Sequence, residues 1–140
     1  MGTIDVINAP FAEVPLRSVM SADVVGIVPQ APLEVALRLM VRAKVRHLPV
    51  VADGECLGVV DESDVLWHLW STGDGQHHVV AEIVVPGRHP SVDITASLGH
   101  AAALMAERRV DAAMVTDGGR LAGILTATDI LRAAAQDGPA

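Results

Sequence analysis

The stretch "GILTATDIL", Gly123 to Leu131, decides how this chain is read, because it is written twice. Its second copy is "GVVDESDVL", Gly58 to Leu66, displaced by 65 residues. At that offset Val19 falls on Val84, Ala31 on Ala96, Leu33 on Leu98, Ala36 on Ala101, Met40 on Met105, Val50 on Val115 and Gly54 on Gly119. Self-similarity at one fixed spacing marks a repeated structural unit. The copies are assigned to residues 16–70 and 81–135, with an extension over 1–15, a linker over 71–80 containing "STGDGQ", and a tail over 136–140.

Each copy spells out the same elements. Leu33, Ala36, Leu37 and Met40 recur at helical spacing, and Leu98, Ala101, Ala102 and Met105 repeat that stripe. Pro32 suits the first turn of the earlier helix, and Thr95 or Ser97 can cap the later one. Two short strands follow, "HLPVVA" and "CLGVVD", then "AAMVT" and "LAGILT", joined by "DGE" and "DGGR" whose glycines suit tight turns. Helices beginning near Asp64 and Asp129 close each copy, and extended pieces near "VVGIVP" and "PSVDIT" precede each first helix. A unit of this size is marginal alone, so the copies are expected to share a core.

Composition excludes several functions. A formal charge of −7 disfavours nucleic-acid binding, and an aromatic content of 2% leaves no stacking platform. No apolar run is long enough for membrane insertion, and Met1 to Asp5 lack the basic region and apolar block of a secretory signal, so none is expected. Cys56 is the single cysteine, so no internal disulfide forms and a cytoplasmic location is expected. Cys56 lacks an activating base and no serine has an evident base and orienting acid, so the chain is not expected to be an enzyme. His77 and His78, with His68, His89 and His100, lack the spacing of a metal site, and none is expected. Leu66, Trp67, Leu69 and Trp70 read first as core residues, with a dimer face as the alternative.

The segments "VRHLPVVADGECLGVVDESDVL" and "VDAAMVTDGGRLAGILTATDIL" resemble the signature ends of cystathionine-β-synthase (CBS) domains, and the tandem resembles a stand-alone Bateman module. The resemblance covers about Leu16 to Ala135. It implies an α/β (α+β) fold of two β-α-β-β-α repeats packed about a pseudo-two-fold axis. It also implies a homodimer, no required cofactor, and a regulatory adenosyl ligand (AMP, ADP, ATP or S-adenosylmethionine) in a cleft between the repeats that controls an unknown partner. The alternative is a structural dimerisation module with vestigial, empty clefts.

Thr126-Ala-Thr-Asp129 has the form of a capping box, with Thr126 serving the amide near Asp129 and Asp129 answering at Thr126. A helix start also offers amides to phosphate, and a carboxylate accepts hydrogen bonds from ribose hydroxyls. The resemblance gives that ribose role to Asp129 and Asp64 and places basic residues at Arg46 and His47; the Thr126 and Thr128 hydroxyls can donate to ribose or phosphate, and Ile124, Val24, Val45, Arg88 and His89 are the remaining candidate ligand contacts. Arg46 and His47 read equally well as a solvated charge and a satisfied strand residue. Phosphate neutralisation is expected from Arg46, His47, Arg88 or His89, since Asp111 and Ala112 stand at the positions matching Arg46 and His47. The first copy has Asp61 where the second has Thr126. At 4 to 5 Å a carboxylate opposes a phosphate by about 3 to 4 kcal/mol. The Asp64 cleft is therefore expected to be empty, to take a neutral nucleoside portion, or to need a cation.

Overall fold

The computed structural model describes residues 13–72 and 78–136. Most of the extension, the centre of the linker with His77, and residues 137–140 of the tail lie outside the described residues. The first copy contains α1 (Leu33–Ala43), β1 (His47–Ala52), β2 (Glu55–Asp61) and α2 (Glu62–Thr72). The second contains β3 (Ser91–Asp93), α3 (Leu98–Arg108), β4 (Ala112–Asp117), β5 (Arg120–Thr126) and α4 (Ala127–Gln136). One-turn 3-10 helices at Leu16–Ser18 and Val80–Glu82 precede them. The expected mixed α/β architecture is present, with four α-helices and two small sheets among the described residues.

The helices follow their sequence stripes. Leu33, Ala36 and Met40 of α1 are buried, as are Leu98, Ala101 and Met105 of α3. Pro32 stands just ahead of α1, and the Ser97 hydroxyl caps α3 by accepting from the His100 amide at 3.1 Å. The hairpins β1–β2 and β4–β5 are antiparallel, and each turns through two residues of positive φ, Asp53-Gly54 and Gly118-Gly119. That backbone matches the right-handed strand twist.

The extended pieces differ between the copies. β3 pairs in parallel with β4, and the Met114 amide donates to the Pro90 carbonyl at 2.9 Å. In the first copy Pro49 stands where Met114 stands in the second, and proline has no amide to donate. The equivalent piece is accordingly reduced to one bridge between Ile27 and Val50.

The segments that open the copies are exchanged. Leu16, with Val14, Val19 and Met20, packs into the core formed by Val92, Leu98, Met105, Val115 and Leu125. Val80, with Ile83 and Val84, packs into the core of Leu33, Met40, Leu48 and Val65. The crossing segment meets β5 at backbone distance, where Ser21 and Ile124 exchange hydrogen bonds of 2.9 and 3.0 Å. A Cβ at Gly123 would stand 2.8 Å from the Ser21 carbonyl oxygen, so only glycine admits the crossing. A third cluster, Val59, Ala112, Met114 and Ile124, seals the copies together. This reciprocal packing is the pseudo-two-fold arrangement expected of the repeats.

The core reading of the α2 tryptophans is corrected. Val65 is buried and Leu69 packs on the first core, while Trp67 is 71% and Trp70 87% exposed. Leu66 is 46% exposed, and its counterpart Leu131 on α4 is 70% exposed. A helix presents one face to its core, and residues 65 and 69 already occupy it.

Candidate functional site

The capping box forms as written. The Asp129 amide donates to Thr126 Oγ1 at 3.1 Å, and Asp129 Oδ2 accepts from the Thr126 amide at 3.0 Å. This fixes the carboxylate at the start of α4, where it is 8% exposed. Its other oxygen, Oδ1, has a long 3.5 Å contact from the Ser21 hydroxyl.

Asp129 lines a cavity of about 360 Å³ between the copies. The second copy contributes Ile124, Thr126, Thr128, Asp129 and Arg132. The first contributes Ser21, Asp23, Val24, Val25, Lys44, Val45, Arg46, His47 and Pro49. The lining thus combines apolar Val24, Val45 and Ile124 with two carboxylates, Asp23 and Asp129, with hydroxyls, and with three permanent cations, Lys44, Arg46 and Arg132.

Asp64, Arg88 and His89 do not line this cavity. Arg88 Nη1 donates to Asp64 Oδ2 at 2.6 Å, so this carboxylate is already paired. Asp61 forms no counterpart of the Thr126 cap; its Oδ1 lies 3.2 Å from Nε2 of the buried His89 and 3.6 Å from His47 Nε2. His47 Nε2 also stands 2.7 Å from Asp111 Oδ1. Burial opposes ionisation of Asp111, but the hydrogen bond and charge of His47 outweigh it and hold the carboxyl below its usual range.

The structure therefore gathers Thr126, Thr128, Asp129, Ile124, Val24, Val45, Arg46 and His47 around one cleft and separates Asp64, Arg88 and His89 from it. Sequence reasoning missed Lys44, Arg132, Ser21 and Asp23. Arg132 was within reach of it, standing three residues after Asp129 on the same helical face. Ser21 and Asp23 carry no local signal, since the exchange of opening segments brings them there. Burial pushes the Cys56 thiol up, with backbone hydrogen bonds at Gly58 and Val50 opposing it; a raised thiol supplies less thiolate for nucleophilic attack. No helix among the described residues is long and apolar enough to cross a membrane.

Among curated proteins, the chain is 29% identical over 128 residues to a 33.4 kDa protein in a ribosomal RNA operon of Thermofilum pendens, covering 84% of this chain and 43% of that one. It is 30% identical over 116 residues to an inosine-5'-monophosphate dehydrogenase of Thermoplasma acidophilum, covering 82% of this chain and 22% of that one. The chain thus spans less than half the length of either relative. Among solved structures, a conserved protein from Pyrococcus horikoshii superposes with a TM-score of 0.79 at 26% identity, covering 88% of this chain and 93% of the other. A CBS domain pair in complex with 5'-methylthioadenosine and S-adenosyl-L-methionine superposes at 0.76 with 19% identity, covering 89% and 98%, and so shares the fold. The sequence pattern of CBS domains matches residues 16–71 and 80–136, and with both copies folded and packed as described, the chain belongs to the CBS domain family as a tandem pair.

Proposed function

We propose that the pair is a regulatory module that binds an adenine nucleotide in the Asp129 cleft, and that occupancy alters the surface it offers a partner. The observation that carries this reading is the cavity itself, which at about 360 Å³ has the size of a small-molecule site and joins apolar walls to a capped carboxylate. Asp129 Oδ1 is the oxygen left for a ribose hydroxyl, because Oδ2 serves the Thr126 amide. Lys44, Arg46 and Arg132 supply charge for phosphate, and the start of α4 adds its dipole. The adenosyl ligands of a solved CBS pair with the same fold support the ligand class.

A second reading, a dimerisation module whose clefts stay empty, is favoured by the exposure of Trp67 and Trp70 and by the Arg88 pairing of Asp64. Calorimetry with AMP, ATP and 5'-methylthioadenosine separates the two. Binding of AMP is expected, and Asp129→Asn should weaken it about tenfold or more while keeping the cap, since a charge-assisted hydrogen bond contributes about 1.5 to 3 kcal/mol. Arg132→Ala, at an exposed position, should weaken AMP and ATP but leave 5'-methylthioadenosine unaffected. Absence of binding by all of them below about 1 mM would leave the second reading standing.

A further inference from the structure

We propose that His47, Asp61 and Asp111 form a site for a divalent transition metal of the zinc class, held across the two repeats. One ligand atom from each of the three lies within 4.8 Å of the others. His47 Nε2 stands 2.7 Å from Asp111 Oδ1 and 3.6 Å from Asp61 Oδ1. Donors at about 2.0 to 2.2 Å from a tetrahedral ion are about 3.3 Å apart. The observed separations bracket that value, and Asp111, whose side chain is 58% exposed, has the freedom to open its short contact.

Two further features single this cluster out from an ordinary group of surface charges. First, its inner members are fixed: the His47 side chain is 9% and the Asp61 side chain 13% exposed. The His89 side chain, 1% exposed, directs Nε2 at Asp61 Oδ1 from 3.2 Å, the outer hydrogen bond that orients a ligating carboxylate. Among the described residues His89 Nδ1 has no hydrogen-bond partner, so this buried ring bonds to Asp61 through Nε2. Second, the donors open onto a pocket of about 160 Å³ lined by Arg46, His47, Asp61, Glu62, Ser63 and Asp111, room for the waters that complete a coordination shell.

The donor chemistry selects the metal. An imidazole nitrogen with two carboxylates suits zinc and its neighbours, whereas magnesium and calcium prefer oxygen throughout. Two carboxylates sharing one imidazole leave negative charge that a dication neutralises. Because His47 and Asp61 belong to the first copy and Asp111 to the second, the ion would tie the copies together. His47 also lines the nucleotide cleft, so the ion would hold that wall in place.

The test uses the whole chain, stripped with chelator and titrated with zinc chloride in the absence of nucleotide. One high-affinity zinc per chain and a raised melting temperature are expected. Asp111→Asn, at an exposed side chain, should weaken that zinc about tenfold or more, and Asp61→Asn should do so with an unchanged circular dichroism spectrum. Zinc-edge absorption of the wild type should show imidazole nitrogen and carboxylate oxygen with no sulfur. No zinc binding below about 1 mM, or binding that survives Asp111→Asn undiminished, overturns the proposal. A sulfur-containing shell overturns it independently of any variant.

Discussion

Asp64 and Asp129 stand at matching positions of the two copies, yet they meet different partners: Asp64 pairs with an arginine, while Asp129 is held in its helix cap and lines the cleft. The difference lies one segment away, at Asp23 and Arg88, which also match at the 65-residue offset. Arg88 pairs with Asp64 at 2.6 Å, while Asp23 lines the cleft with Asp129. The sequence expectation that the clefts differ rested on Asp61 against Thr126; the structure adds this reversal of charge. The capping box was legible because its partners are three residues apart. The Arg88 pairing was not, because 24 residues of chain separate the partners. Another carboxylate gives a pH test at this scale. Asp93 accepts from the Thr95 hydroxyl and amide, which together hold its carboxyl below the usual range. A lowered pKa contributes stability that is present above the ordinary carboxylate range and is lost as pH falls through the lowered value. Asp93→Asn keeps an acceptor but removes the charge, so its urea midpoint should vary less than that of the wild type as pH falls from about 5 to 2. Parallel pH dependence in the two proteins would count against this assignment.

Among the elements, α1 and α3 were the most readable, since their apolar stripes coincide with their buried faces. Both end without glycine: Lys44 and Arg109 take left-handed conformations with φ of 58° and 55°. A side chain in that conformation costs about 1 to 2 kcal/mol relative to the right-handed one. At Lys44 the cost falls on a residue lining the cleft. Lys44→Gly should therefore raise stability by about 0.5 to 1 kcal/mol, read from urea unfolding, while weakening AMP binding. Loss of both stability and affinity would show that the Lys44 side chain supports the fold. The leading strand of the first copy was read as equal to that of the second, and Pro49 explains why it is not. The proline was visible, but its cost depends on which neighbour its missing amide faces.

At the scale of the whole molecule, exchange of the opening segments makes the copies interdependent. Leu16 is fully buried in the other copy's core, a contribution of about 1.5 to 3 kcal/mol that neither copy obtains alone. The same packing leaves Leu66, Trp67, Trp70 and Leu131 on the outside. Trp67→Ser with Trp70→Ser tests the homodimer that the family resemblance implies: light scattering should give a dimer for the wild type and a monomer for the double variant. A variant of undiminished mass would remove these tryptophans from the interface. By itself the sequence determined the repeat, the order of elements, the helix faces and the capping box, because each is encoded within a few turns of chain and by periodicity. Tertiary structure alone decided which copy each opening segment joins, which carboxylate pairs with an arginine, and which histidine and aspartates meet. Those outcomes depend on contacts between residues far apart in the chain, whose pairing no local pattern records.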